Sequence, residues 1–427
     1  MDTRSSPEPD QPSSAPTQDG VALRKAGIGF VEFIVLVAGL ISIVALSIDI
    51  MLPALPDIGA SFAIAEENDR QAVLVYFMLG FGCAQILFGP LSDRFGRKAV
   101  LIPAMLFYAV CAIADAFVDS YMALLLLRLA QGVGAAAARI VVNAIVRDCF
   151  GGREMARVMS YTFTVFMIVP IIAPALGQII ISFLSWPWIF IFLGCAGLVL
   201  ALWSGVRLKE TLPVEERLPL SFSAIGQAFR EILTNRLAMG YTAASTLCFG
   251  GLFAFVISAQ QVFQSIYGLD HLFAAAFALN AAVMAMLNFA NGIFVRKVGM
   301  RLISHSALIA FALLGTLLLL ISLAGNPPFL VTYFMLAAIA GAFGLVPPNF
   351  NALAMEPLGH IAGTASSVMG VISFTGGAVL GAVVGQAFDG TMVPLAFGYT
   401  AFGWLALLLI IWTERGKLFV RPPVDTN

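Results

Sequence analysis

Asp49, Arg128 and Arg139 are charged residues set inside long apolar runs. An acid and two guanidinium groups in that setting suit the holding of a proton, a counter-charge or a charged ligand. Asp49 ends a stretch that has carried no charge since Glu32. A charge placed in hydrocarbon costs roughly 2.5–3.5 kcal/mol even on the lenient insertion scale, so such a residue faces a partner or a wet cavity. Two readings stand for Asp49. It is a site for a proton or a cationic ligand, or it is a carboxylate solvated near a mouth of the bundle, beside the turn-forming "LPALP".

Arg128 and Arg139 are eleven residues apart, close to three helical turns, so they share a face. Gln131 and Gly132 follow the first, and the small run Ala135 to Ala138 lets helices approach closely. A guanidinium does not lose its charge, so each must pair or meet water. Arg128 either partners Asp49 or snorkels to an interface, and Arg139 is the deeper of the two. Glu32 lies one turn into its run near Arg24 and Lys25, which reads as a cavity residue or, more plainly, an ion pair. Asp115, ending the third run, reads as solvated or paired with Arg128. Pro170, Pro174 and Gly177 interrupt the fifth run and predict a bend or a close-packing point.

No enzyme constellation accompanies these residues. The sequence holds no phosphate-binding loop, no HExxH and no nucleophile elbow in context. The cysteines form no CxxC pair and read as small buried hydrophobes, so neither a metal nor another cofactor is expected.

The elements that must position these charges follow from composition. Of the 427 residues 60% are hydrophobic and 11% charged, against about 25% charged in an ordinary soluble domain. That is too little charge to cover a water-facing surface, and no basic face offers itself to nucleic acid. A membrane helix needs about 20 mainly apolar residues. Twelve such runs are expected, near 28–55, 71–91, 99–118, 122–147, 157–182, 187–206, 237–263, 272–295, 303–324, 329–354, 363–388 and 392–413.

Of the 23 basic residues, all but Arg70, Arg128 and Arg139 fall in one alternating set of segments, which includes both tails. By the positive-inside rule both termini are then expected in the cytoplasm. The expected organisation is a disordered tail over 1–27, a six-helix bundle over 28–206, a cytoplasmic loop over 207–236, a second six-helix bundle over 237–414, and a tail over 415–427. A repeat relates the two bundles: "GPLSDRFGRKAVL" (89–101) is echoed by "NGIFVRKVGMRLI" (291–303), with Arg296 where the first copy has Asp93. "NAIVRDCFGG" (143–152) is echoed by "NALAMEPLGH" (351–360).

"GPLSDRFGRKAVL" resembles the signature loop of the major facilitator superfamily. "RLAQGVGAAAARIVVNAIVRD" (128–148) resembles the helix-four motif of its drug:proton antiporters, and "SIDIMLPALPDI" (47–58) the helix-one motif of Bcr/CflA-type multidrug exporters. Two departures are visible. "APALGQ" (173–178) has Ala173 and Gln178 where the antiporter motif of helix five has glycines, and Asn143 stands where related exporters often carry Arg.

The resemblance implies an all-α polytopic membrane protein, with twelve helices in two pseudo-symmetric six-helix bundles. It implies export of small amphipathic drugs across the bacterial inner membrane in exchange for protons, by a monomer whose other partner is the lipid bilayer. Proton-coupled uptake of a metabolite, or a non-transporting scaffold, are the alternatives. It further implies a proton-coupling and substrate region of Asp49, Arg128, Gln131, Arg139 and Glu32. The conformational latch it implies consists of Gly89, Asp93, Arg94, Gly96, Arg97, Lys98 and Asp148. In that latch Asp93 reaches the start of helix eleven around Gly363 to Ser366, Arg97 pairs with Asp148, and the glycines allow close approach and a tight turn.

Overall fold

The computed structural model describes residues 25–217, 222–269 and 272–419. The expected disordered tail therefore lies almost wholly outside the described residues, as do the last eight residues of the chain. Among the described residues twelve helices are long and apolar enough to cross a membrane. They are α1 (Phe30–Ser61), α2 (Glu67–Phe95), α3 (Arg97–Asp115), α4 (Tyr121–Cys149), α5 (Arg157–Phe183), α6 (Pro187–Arg207), α7 (Arg236–Ile266), α8 (Phe273–Val295), α9 (Met300–Ser322), α10 (Phe329–Gly359), α11 (Gly363–Gln386) and α12 (Val393–Thr413). The even number returns the chain to the end where it started, and most of the basic residues cluster at that end. It is called the basic end below, and the other the far end.

The packing repeats with a shift of six helices. α3 lies on α6 as α9 lies on α12, and α1 lies on α5 as α7 lies on α11. Two symmetry-related seams join the halves, α2 against α11 and α5 against α8. Small residues set the closest approaches. A Cβ at Gly132 of α4 would come within 2.2 Å of the Phe77 carbonyl oxygen of α2, and one at Gly82 within 2.4 Å of Thr375 Oγ1 across the seam.

Proline breaks some helices and not others. Regular α-helix in α1 stops at Asp49, and a 3₁₀ turn at Leu52–Ala54 carries Pro53. α10 is divided between Leu345 and Pro347. α5, by contrast, runs unbroken from Gly152 to Phe183 through Pro170 and Pro174. Neighbouring helices satisfy such freed carbonyls in a membrane protein.

The stretch over 207–236 is more than a loop. It holds a short turn at Val214–Glu216 and a helix, Phe222–Thr234, that packs on α7 and α11. Its apolar residues are spaced for one face and not run together, so a search for long apolar runs passes over it.

Candidate functional site

The polar centre of the first half is built around Arg128, which is 0% exposed. Its Nε donates to the Val73 carbonyl at 3.2 Å, its Nη1 to Gln131 Oε1 at 2.6 Å and its Nη2 to the Ser47 carbonyl at 3.0 Å. The Phe77 ring lies 4.5 Å from the guanidinium carbon. The fork thus ties α4 to α1 and α2, using every edge of a group whose planar geometry suits such bridging. Beside it Ser47 Oγ donates to the Ile43 carbonyl at 2.6 Å. The Ser47 proton is thereby spent, so the 2.6 Å contact with Tyr108 has the phenol as donor.

Two acids border this centre. Asp49 is 6% exposed and forms no hydrogen bond or ion pair among the described residues. The expected Asp49–Arg128 pair is absent. Two residues along a helix are about 200° around it, so a helix face that offers the Ser47 carbonyl to Arg128 turns the Asp49 side chain away. Asp115, at the end of α3, is 0% exposed, and neither carboxyl oxygen has a hydrogen-bond partner. It is shut off from solvent, and it makes no ion pair among the described residues, with Arg128 or any other cation. Gly177 of α5 packs on the broken end of α1, where a Cβ would meet the Ile50 carbonyl oxygen at 2.1 Å. Close packing, not a break in α5, is therefore what this glycine provides.

Arg139 lies on α4 toward the basic end, exposed, with no hydrogen bond or ion pair among the described residues. Asn143 and Arg147 are exposed on the same face at four-residue spacing, while Ala135 to Ala138 are 0% exposed. α4 packs on α1, α2, α3 and α5. The remaining direction is the space between the halves, where Arg147 approaches Gly363 of α11, so this polar stripe faces a cavity between the halves toward the basic end. Glu32 does not join it. Its carboxylate accepts from Arg207 Nε and Nη2 at 2.7 and 2.8 Å and from Trp203 Nε1 at 3.0 Å, all on α6. The ion-pair reading holds, with a partner brought by α6; Arg24 lies outside the described residues.

At mid-span the seam between the halves is packed by buried aromatic rings. Phe81 of α2 meets Phe374 of α11 edge-on at 4.6 Å, and Phe374 meets Phe253 of α7 at 4.7 Å. Nothing in the sequence separates these from the other phenylalanines; only the seam selects them. The intramembrane amides are mainly structural. Asn349 donates to Asn291 at 2.8 Å, and Asn288 to the Gly344 carbonyl at the break in α10 at 3.1 Å.

The far end is tied across the halves. Asn68 Nδ2 donates to the Gln386 and Phe388 carbonyls at 3.0 and 2.9 Å, and its Oδ1 accepts from Gln261 Nε2 at 2.6 Å. Gln386 Nε2 returns a bond to the Asn68 carbonyl at 3.1 Å, and Ser265 donates to Glu67. Gln261 opens a π-helical turn at the end of α7, a distortion that re-aims side chains.

The charged loop between α2 and α3 forms a compact cluster. Arg97 is 3% exposed; its Nε donates to Asp148 Oδ2 at 2.8 Å and its Nη1 to Ser92 Oγ at 2.9 Å and to Asp93. Asp93 is therefore held within its own loop, not at the start of α11. The side chain nearest Gly363 is that of Arg147, whose Nη1 would lie 3.0 Å from a Cβ there. Arg94 is exposed, and Lys98 Nζ donates to the Gly205 carbonyl at 2.9 Å. A Cβ at Gly89 would make only ordinary contact with Ser367, whereas Gly96 has φ +102°, which L side chains avoid.

Glu210, which the sequence did not single out, caps α3. Its Oε1 accepts from the Arg97, Thr211 and Leu212 amides at 2.9, 3.0 and 3.1 Å, and its Oε2 from the Lys98 amide at 3.0 Å. A carboxylate suits the positive end of a helix. The second half repeats the device: Gly299 has φ +97°, and Arg301 pairs with Glu356 at 3.2 Å and Glu414 at 2.9 Å. The side chain of Arg296 lies outside the described residues. Glu210→Gln turns an N–H toward amides that need an acceptor, so it should cost about 1–3 kcal/mol. A lowered melting temperature of the purified protein in detergent is the expected reading; an unchanged one would show the cap to be dispensable.

This arrangement has known counterparts. The profile of the Major Facilitator Superfamily matches residues 37–382. The chain is 31% identical over 365 residues to a bicyclomycin resistance protein homolog of Haemophilus influenzae, covering 85% of this chain and 91% of that one. It is 26% identical over 390 residues to the multidrug resistance protein MdtL of Escherichia fergusonii, covering 90% and 96%. Its fold is similar to a bacterial homolog of the human lysosomal transporter Spinster, solved in an inward-facing and occupied conformation. The TM-score is 0.69 at 14% identity, over 92% of this chain and 98% of that one. With a profile spanning most of its length and twelve helices in the matching fold, the chain belongs to the Major Facilitator Superfamily.

Proposed function

We propose that the protein exports small amphipathic drugs across the inner membrane of a bacterium in exchange for protons, acting as a transporter and not an enzyme. The relatives' resistance to bicyclomycin and to multiple drugs supports the export reading. The excess of basic residues at one end supports a cytoplasmic placing of that end and of both termini. The observation that carries proton coupling is the pair Asp49 and Asp115, acids enclosed in the bundle with no hydrogen-bond partner among the described residues.

The mechanism follows from what each group can do. An enclosed carboxyl without partners is tolerated neutral and is costly ionised. When Asp115 gives up its proton, the new charge attracts Arg128, which at present spends its fork on Ser47, Val73 and Gln131. Turning toward Asp115 loosens the hold of α4 on α1, and reprotonation restores it. Asp49, at the break in α1, is placed to exchange its proton as α1 shifts against Gly177 of α5. The two six-helix halves then rock about the cavity, and the Arg97–Asp148–Glu210 cluster serves as the latch of the first half at the basic end. Domain limits at 28–206 and 237–414 fit this rocking.

The test uses a drug-susceptible bacterium stripped of its own exporters. Wild type should lower drug accumulation, and Asp49→Asn and Asp115→Asn should each return it to the level of the empty vector at equal membrane expression. A wild type that lowers accumulation of no drug would overturn the export reading. Active Asn variants would overturn only the proposed roles of the acids.

A further inference from the structure

Charge in the cavity is one-sided. Arg139 stands ten residues before the end of the 29-residue helix at Cys149, about 15 Å deep at 1.5 Å per residue. It is exposed yet has no partner among the described residues. Arg147, about two turns further toward the basic end, is also exposed and makes no ion pair among the described residues. Every described acid in the basic half of the spans is engaged elsewhere. Glu32 is held by Arg207, Asp93 and Asp148 by Arg97, and Glu356 and Glu414 by Arg301. Between α7, α8 and α11 the spans contribute no acid at all. Asp49 and Asp115 lie toward the far end and are enclosed.

A guanidinium keeps its charge at any pH a cell meets. A free one held in a cavity of low dielectric is a strong, directional site for a carboxylate or another oxyanion. Asn143 flanks it on α4, and its repeat equivalent Asn351 is exposed on α10. Both can donate or accept, and the buried Phe81–Phe374–Phe253 cluster packs the seam between the halves at mid-span.

We propose that the cavity selects amphipathic organic anions, with the oxyanion on Arg139. This rests on the export reading and names the substrate class within it. Exchange of one proton for such an anion moves positive charge inward on both counts, so the membrane potential drives it even without a pH difference.

Three probes share one fluorophore and differ in charge: dansylglycine (anion), its methyl ester (neutral) and dansyl ethylenediamine (cation). The full-length protein in proteoliposomes, with a proton gradient imposed, should move the anion faster than the ester by about tenfold or more, the usual yield of a charge-assisted hydrogen bond. Arg139→Gln should reduce that anion-to-ester ratio by a similar factor, and Arg139→Lys should restore part of it. A potassium–valinomycin potential alone should drive uptake of the anion. Preference for the cation, or an unchanged ratio in Arg139→Gln protein that elutes as wild type does, overturns the proposal. A wild type that moves the ester or cation but not the anion overturns it and leaves export standing. A wild type that moves none of the three, nor ethidium, overturns both.

Discussion

Arg128→Lys is expected to abolish transport while leaving the protein in the membrane. The substitution keeps the charge and removes the fork. Arg128 serves the Ser47 and Val73 carbonyls and Gln131 Oε1 from one planar group at 0% exposure. A lysine ammonium is a compact point charge and cannot reach all three positions at once. Each buried acceptor left without a donor costs about 1–3 kcal/mol. Losing two of them in the state that needs them shifts the cycle by a factor on the order of 100. The contact with the Phe77 ring, 4.5 Å from the guanidinium carbon, is weakened as well. Proton-driven drug transport in proteoliposomes, at matched protein content, is the measurement. Activity within a factor of about three of wild type would mean that the charge alone matters and that the link between α1, α2 and α4 is incidental.

Asn68→Ala is expected to open the far end. One side chain there holds both halves: it donates to the carbonyls of Gln386, at the end of α11, and Phe388 just past it, and accepts from Gln261 at the end of α7. Alanine removes those bonds and spares the one from Gln386 to the Asn68 backbone. At about 0.5–1.5 kcal/mol each, the loss is on the order of 3 kcal/mol, enough to shift the balance of two conformations by roughly 100-fold. Spin labels placed across the far ends of the two halves should report longer and broader distances in the variant. An unchanged distribution would assign the closure to the helix seams, α2 against α11 and α5 against α8. A substrate supplied from the basic end should also bind less tightly, because the cavity open to that end would be less populated.

The two outcomes separate the two layers of the machine. In the proposed cycle Arg128 acts inside one half, where protonation of Asp115 would be felt. Asn68 acts between the halves, where the cavity changes sides. A coupled transporter needs both, and each can fail without the other.

How much of this was legible in the sequence depends on the range of the interaction. Twelve spans, their alternation and the repeat could be read directly, because they depend on hydrophobicity along the chain and on runs long enough to cross a bilayer. The resemblance of three motifs to the superfamily placed the chain correctly. Arg128, Asp49 and Arg139 could be nominated because a charge in an apolar run is costly wherever it ends up, and the Arg97–Asp148 pair because of the resemblance. Gly96 could be marked as a turn glycine, and its φ of +102° gives the reason.

What only the tertiary structure decided concerns direction and partner. The sequence put Arg128 beside Asp49; the fold gave it the Ser47 carbonyl instead, since neighbouring positions on a helix point to different sides. It put Asp115 in water or on Arg128, and packing against α4 and α6 enclosed it without either. The resemblance put Asp93 on α11, and the fold kept it on Arg97. Glu210 and Asn68 carried no signal, because a polar residue outside an apolar run is unremarked until its partners are known. Those of Asn68 lie as far as 320 positions away along the chain. Composition along a chain fixes which segments leave water. Which faces of those segments meet is settled by close packing of small residues and by the geometry of directed hydrogen bonds, and both exist only once the helices have assembled.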